Sequence, residues 1–452
     1  MSRKLKVGLV TLGCDKNTVD LEYIAGLLAR GGCTTVPLGP GEDGGGAVFD
    51  AVVLLTCGFI ADAKLQSVES VVEWAERKKQ TGMPRRIYVA GCLAQRHGAE
   101  LFGAIPEIDA LLGVGQMAQL ADMVHAADND RHLDVAAKPR TDIVTAMPRR
   151  RIETGPHAYL KIADGCNHTC AFCAIPAMKG PYISVPRGIL LEEARQLLRS
   201  GVKELNLVAQ DITVYGHDCY DAYRLSDLLG ELCALKGDFR VRCLYAYPGG
   251  INRPLLDAMA SLPKVARYLD IPIQHMDPGV LKAMRRPARG ADIPALVHRI
   301  RRALPGVALR TTVLVGFPGE SPAAFRGLMQ GLRDNAFEWL GAFAFSTEEG
   351  TPAAVMEGQV PKRTRERRRL RVMEQQAHIT AAFNAFRVGN TLRVLVQSVD
   401  PETGVAVARS DAEAPEVDGT IHLRNCPGAK PGQFMHARIV EADVYDVTAV
   451  AE

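Results

Sequence analysis

No stretch of this sequence approaches 18 uninterrupted apolar residues, so a membrane-spanning helix is not expected. The first ten residues, Met1 to Val10, carry bases but no apolar run of the kind a secretory leader needs. A large charge of one sign is also missing. The formal net charge is +3, too small by itself to argue for nucleic acid or a membrane surface as partner. With 47% hydrophobic and 23% charged residues, the composition is that of a soluble globular protein, and a cytoplasmic location is the expectation. At 452 residues the chain is too long for one ordinary core, and two or three domains are expected.

Cysteine, in contrast, is plentiful. Eleven cysteines in a cytoplasmic chain are not a disulfide framework, so they are ligands, catalysts or small core residues. Cys33, Cys219, Cys233, Cys243 and Cys426 sit in ordinary contexts and read as packing residues. Cys166, Cys170 and Cys173 form a C-x3-C-x2-C run. A loop this tight can hold three corners of a cubane 4Fe-4S cluster and leave the fourth iron open to an exogenous ligand. The amino and carboxylate groups of S-adenosylmethionine (SAM) can chelate such an iron. Zinc is the bland reading, but a structural zinc site usually pairs C-x2-4-C with a second ligand pair, and none follows soon. His168 completes a Cys3His set on paper, at the cost of a strained tetrahedron.

The first 125 residues alternate short apolar runs with helical patterns, which argues a parallel α/β sheet. Three expected strands end in cysteine. Leu5 to Val10 runs into Cys14, Ala51 to Leu55 into Cys57, and Arg86 to Ala90 into Cys92. Ligands gather outside the carboxyl ends of strands in open parallel sheets, so the three thiols are expected to converge on a second cluster. Gly13, Gly58 and Gly91 permit the close backbone approach. Taken singly, each cysteine reads equally well as core. The Gly39 to Gly46 stretch lacks a following Lys-Ser/Thr and reads as a surface loop, not a phosphate cradle.

Beyond a polar linker closed by Arg149-Arg150-Arg151, six strand candidates recur with helices between them: Ala158 to Ile162, Glu204 to Val208, Val241 to Tyr245, Tyr268 to Ile271, Leu309 to Val315 and Leu340 to Phe345. A (β/α)6 partial barrel is the natural closure, with chemistry at the carboxyl ends of its strands. Gln210 and Asp211, Tyr245 and Tyr247, Gln274 and His275, and Gly316 to Gly319 fall at those ends as candidates for holding SAM and substrate. For each one singly a turn or capping role is at least as common, and His275 in particular reads as a hydrogen-bonded turn histidine. No general acid or base is assigned.

Lys362 to Arg371 carries seven bases against Glu366; it reads as a solvated helix face, with an RNA backbone as the functional alternative. The last segment, from Phe386, alternates short β patterns with turns and suggests a small antiparallel barrel of the OB-like class. From Asn384 onward it holds ten acids and six bases, so it is expected to repel phosphate and attract a basic partner.

Together these segments resemble the methylthiotransferase family of radical SAM enzymes over essentially the full length. The resemblance is carried by TLGCDKNTVDLE at Thr11, TCGFI at Thr56, GCLAQR at Gly91, ADGCNHTCAFCAIP at Ala163, VAQDITVYG at Val208, YAYP at Tyr245, DIPIQH at Asp270, VGFPGE at Val315 and APEVDG at Ala414. It implies an α/β chain of three parts: an open parallel-sheet domain (1–136), a linker (137–151), a (β/α)6 radical SAM core (152–385) and a TRAM barrel (386–452). It implies two 4Fe-4S clusters, held by Cys14, Cys57 and Cys92 and by Cys166, Cys170 and Cys173, with SAM near Gln210, Asp211, Gln274 and His275. The chain is most similar to the branch that methylthiolates an aspartate β-carbon of ribosomal protein S-twelve, free or in the small ribosomal subunit. One SAM is implied as methyl donor to sulfur and another as the source of a 5′-deoxyadenosyl radical, with electrons from a donor protein. A monomer without membrane partner is expected. The tRNA branch, the alternative, usually has a Gln-Met-Asn-type sequence where this chain has Asp15-Lys16-Asn17. Asp15 replaces the usual proline, and an extra residue interrupts Asp411 to Glu416, within the domain expected to meet substrate.

Overall fold

The computed structural model describes residues 4–42, 44–126, 130–136, 147–286 and 292–452. They form two compact units. The first comprises Met1–Thr154, Ala163–His168 and Cys173–Ile189; the second comprises Gly155–Ile162, Thr169–Phe172 and Leu190–Glu452. Among the described residues no helix is long and apolar enough to cross a membrane.

The first unit is built on six strands: β1 (Lys6–Thr11), β2 (Thr34–Leu38), β3 (Ala51–Thr56), β4 (Arg86–Gly91), β5 (Ala110–Leu112) and β6 (His132–Asp134). They pair in the order β2-β1-β3-β4-β5-β6, every neighbour parallel. β3 reads Ala-Val-Val-Leu-Leu-Thr and is buried at every position, as a strand covered on both faces should be. Helices α1 (Asp15–Arg30) and α4 (Leu120–His125) cover one face, through Leu21, Ile24, Leu28, Leu120 and Val124. Helices α2 (Ala61–Thr81) and α3 (Cys92–Ala104) cover the other, through Val71, Trp74, Leu93 and Leu101. Of the expected linker 137–151, residues 137–146 lie outside the described residues. From Pro148 onward the chain is tied to α1. Arg149 pairs with Glu22, the Ile152 N–H donates to the same carboxylate at 3.1 Å, and Gly26 leaves room for the Pro148 carbonyl.

The second unit contains the six-stranded parallel sheet of the partial barrel. His157–Lys161, Glu204–Val208, Arg240–Cys243, Val265–Asp270, Ala308–Val315 and Trp339–Ala344 pair in sequence order. A long helix, Lys362–Arg387, leads to a closed five-stranded barrel, antiparallel except where Ile421–Arg424 pairs in parallel with Val447–Ala451. That barrel has its own core of Val394, Val396, Ile421, Leu423, Ile439 and Val447.

Glu204, fully buried at the first position of its strand, accepts from Arg242 at 3.0 Å, Arg240 at 3.2 Å and Arg409 at 3.0 Å. Burial alone would raise its carboxyl, but the three guanidiniums hold it far below the ordinary range. Arg240 and Arg242 also donate to the Ser410 and Asp411 carbonyls, and Arg409 to the Glu413 carbonyl. Asp418 accepts from the Tyr268 hydroxyl at 2.6 Å and pairs with Arg310 at 2.8 Å, and the Trp339 indole donates to the Ala412 carbonyl at 2.6 Å. Asp411 to Glu416, where the extra residue lies, is therefore bound to Arg240, Arg242 and Trp339 of the barrel strands. Three of the ten acids expected to attract a partner are spent inside the unit: Glu413 pairs with Arg387, Asp411 with Arg240 and Asp418 with Arg310.

Removing the Glu204 carboxylate leaves buried guanidiniums without their anion. Glu204→Ala should cost about 3–5 kcal/mol, read as a lower urea midpoint at unchanged slope. A depressed carboxyl contributes fully above its unfolded pKa of about 4.3 and loses that contribution as pH falls below it. The stabilities of the parent and variant should therefore converge in acid. Equal midpoints at pH 7 would contradict this assignment.

Candidate functional site

β1, β3 and β4 are neighbours, with Thr11 in register with Leu55 and Thr56 with Gly91. Their carboxyl ends deliver Cys14 as the N-cap of α1, Cys57 just past β3, and Cys92 as the first residue of α3. The three cysteines thus follow the ends of three adjacent strands. Gly13, at φ +101°, lies so near Cys57 that an added Cβ would sit 2.5 Å from its Cβ and 2.9 Å from its Sγ. A Cβ at Gly58 would meet the Cys92 backbone at 2.9 Å. The Asn17 amide donates to the Leu12 carbonyl at 2.8 Å and the Thr56 carbonyl at 3.3 Å, tying two of the loops together. Ser67 Oγ accepts from the Cys57 N–H and donates to the Cys57 carbonyl, both at 3.0 Å.

Cys57 and Cys92 are buried and Cys14 is half-buried. Burial raises the Cys57 thiol and pushes Cys92 up to about 12; the neighbouring thiols add to this, and the Lys179 ammonium pulls both back. A metal cluster bound here would displace the protons and take the thiolates as ligands. Three converging soft donors fit an iron–sulfur group.

In the loop that follows the first barrel strand, the Cys166 N–H donates to the Gly180 carbonyl at 3.1 Å and its Sγ lies 3.4 Å from the His168 N–H. Asn167 Oδ1 accepts from the Tyr182 N–H at 3.0 Å. Cys170 belongs to the second unit, where Ala171 exchanges main-chain bonds with Met284 and Ala353, and Phe172 packs on the Phe317 and Phe345 cluster. Arg286 Nη1 lies 3.6 Å from Cys170 Sγ, with its guanidinium 4.5 Å from the centre of the Tyr247 ring. Neither Arg286 nor Lys179 stands out in the sequence. The one available signal for Lys179 is a lysine in the short apolar helix after Cys173.

The strand-end candidates divide by what they do. Asp211 is buried, and its Oδ1 accepts from the Thr213 N–H at 2.8 Å, the Thr213 hydroxyl at 2.6 Å and the Tyr247 N–H at 3.4 Å, so it caps its own turn. His275 is wholly buried, its Nδ1 accepting from the Asp277 N–H at 2.9 Å. Its Nε2 lies 3.9 Å from Glu320, which receives the Gly316 and Phe317 N–H groups and pairs with Arg368 at 3.1 Å. Asp211 and His275 thus serve their turns. Tyr245 and Gln274 hold the left-handed conformation, at φ 61° and 68°. Such strain in side-chain-bearing residues concentrates at functional sites. Gln274 is held there by main-chain bonds to Thr312 and Leu314. The basic run is only partly a solvated face. Arg365 donates to the Val360 and Phe345 carbonyls and Arg368 turns in to Glu320, while Lys362, Arg363, Arg367 and Arg371 are exposed.

Three family models match the chain: the Radical SAM superfamily at residues 160–331, Uncharacterized protein family UPF0004 at 6–113, and the TRAM domain at 388–451. A ribosomal protein uS12 methylthiotransferase RimO of Moorella thermoacetica is 40% identical over 98% of this chain and 98% of its own. That of Desulforudis audaxviator is 40% identical over 98% of this chain and 96% of its own. Among solved structures, the radical S-adenosylmethionine methyltransferase TsrM from Kitasatospora setae, with cobalamin and a 4Fe-4S cluster bound, superposes with a TM-score of 0.59. It is 15% identical over 78% of this chain and 77% of its own, a likeness of fold alone.

Gly13→Ala forces a Cβ into Cys57 from a left-handed backbone. The variant should purify with clearly less iron than the parent by elemental analysis. Gly230→Ala, in a helix with open space around it, should leave iron unchanged. Full iron in the Gly13 variant would remove these loops from the binding site.

Proposed function

Since the chain belongs to the RimO family of radical SAM methylthiotransferases, we propose that it attaches a methylthio group to the β-carbon of an aspartate in ribosomal protein uS12. It is a radical SAM enzyme that carries an iron–sulfur cluster and uses SAM. The second cluster, on Cys14, Cys57 and Cys92, is our reading. The observation that carries it is the gathering of three thiols at the ends of three adjacent parallel strands.

Cys166, Cys170 and Cys173 hold the first cluster, which when bound supplies the low-potential electron for SAM cleavage. Arg286 beside Cys170 and the His168 N–H at Cys166 offset thiolate charge. Phe172 packs with Phe317 and Phe345 in an apolar cluster that would shield one side of the loop from solvent. Gln210 and Gln274 offer side-chain amides to SAM, with Asp211 and His275 fixing the turns that present them. Exposed acids of the last barrel, among them Asp400, Glu402 and Glu441, suit a basic protein substrate, and a separate electron-donor protein supplies the reducing electron.

Anaerobic turnover with SAM, reductant and a sulfur source should add a methylthio mass to the ribosomal protein. A product on tRNA alone would instead favour the exposed Lys362, Arg363, Arg367 and Arg371 face as an RNA contact. Loaded protein should contain roughly eight irons per chain and no stoichiometric zinc. Cys170→Ala should abolish SAM cleavage and retain about half the iron, and Cys57→Ala should keep SAM cleavage and lose methylthiolation. Loss of all iron in either variant would defeat the two-site reading.

A further inference from the structure

We propose that Lys179 is a positioning residue for the three-cysteine site: its buried ammonium supplies positive charge to Cys14, Cys57 and Cys92 and fixes the segments flanking the Cys166 to Cys173 loop beside them. The inference rests on the reading that these three cysteines hold a cluster.

Lys179 ends the short helix Ile175–Lys179 and is buried. Its Nζ lies 3.3 Å from Asp164 Oδ2 and 3.4 Å from Asp20 Oδ2, and the three side chains are exposed by 5%, 3% and 2%. Asp20 stands six residues after Cys14 on α1, and Asp164 two residues before Cys166. Ala174 and Met178, on the same segment as Lys179, pack against Cys92. One ammonium therefore bonds both to the helix that starts at Cys14 and to the strand that leads into the radical SAM loop. All of these segments belong to the first unit.

Stability does not explain such a triad, because well-packed apolar side chains of similar volume serve as well or better in a buried position. Its surroundings do. Burial works against the ammonium, but Asp164 and Asp20 favour its charged form. In a dry site a fixed cation acts strongly on nearby thiolates. Net charge around an iron–sulfur cluster is one of the quantities that set its potential. The aspartates hold the ammonium in place and oppose its field, so removing the lysine or one aspartate should change the cluster's potential in opposite directions.

The test uses the full chain with Cys166, Cys170 and Cys173 all changed to Ala, so that iron loads only on the other trio. Iron content, midpoint potential and the electron paramagnetic resonance spectrum are measured with and without Lys179→Met, Lys179→Arg and Asp20→Asn. Lys179→Met should move the potential negative, Lys179→Arg should restore it, and Asp20→Asn should move it positive. Should Lys179→Met retain no iron, Asp20→Asn decides: a positive shift supports the proposal and no shift overturns it. An unchanged potential in Lys179→Met overturns it, as do shifts of the same sign in both variants, which mark a packing disturbance. A parent chain that loads no iron defeats the three-cysteine reading itself, and the role of Lys179 falls with it.

Discussion

A sulfur atom out of water keeps its proton, and several sulfurs gathered together keep theirs more firmly. The first unit nonetheless brings three cysteines to one place, two of them buried, with Cys92 pushed up to about 12 by burial. Such an arrangement needs a positive partner and a backbone that tolerates crowding. The parallel sheet provides the second: three adjacent strands end at the same level, and Gly13 and Gly58 lack the Cβ atoms that would collide with Cys57 and Cys92. For the first, the structure offers Lys179, anchored by Asp20 and Asp164.

Much of this was legible in the sequence because the signals were local. An apolar run followed by Gly and Cys marks a strand end at Cys14, Cys57 and Cys92, and the C-x3-C-x2-C spacing needs no fold to be read. The six barrel strands were legible for the same reason. β2, β5 and β6 were not: β2 has a proline and two threonines among its five residues, and three residues are too few to show a period. Nor were Arg286 and Lys179, because each acts on a cysteine brought near by folding: Arg286 lies 116 residues from Cys170, and Lys179 lies 87 from Cys92.

In the acidic last domain part of the charge is turned inward and part faces solvent. Ten acids against six bases suggests an outward field. In the folded unit Glu413 and Asp418 are buried against Arg387 and Arg310, and Asp411 reaches Arg240. The basic run is divided in the same way with the sign reversed, since Arg365 and Arg368 are anchored inward while Lys362, Arg363, Arg367 and Arg371 face solvent. The strained Tyr245 and Gln274 were named from their place at strand ends, but their left-handed backbones carry no sequence mark.

The arginines around Glu204 come from two sources: Arg240 and Arg242 from the partial barrel, and Arg409 from the small closed barrel. Neither part is therefore severable. A chain cut near Phe386 would uncover Arg240, Arg242, Tyr268 and Arg310, deprived of the Ser410 to Asp418 loop that now satisfies them. A free terminal barrel would carry Arg409 and Asp418 as stranded charges. What looks in the sequence like an appended module is the floor of the radical SAM core, and an exchange of that module between relatives has to carry its matching arginines along.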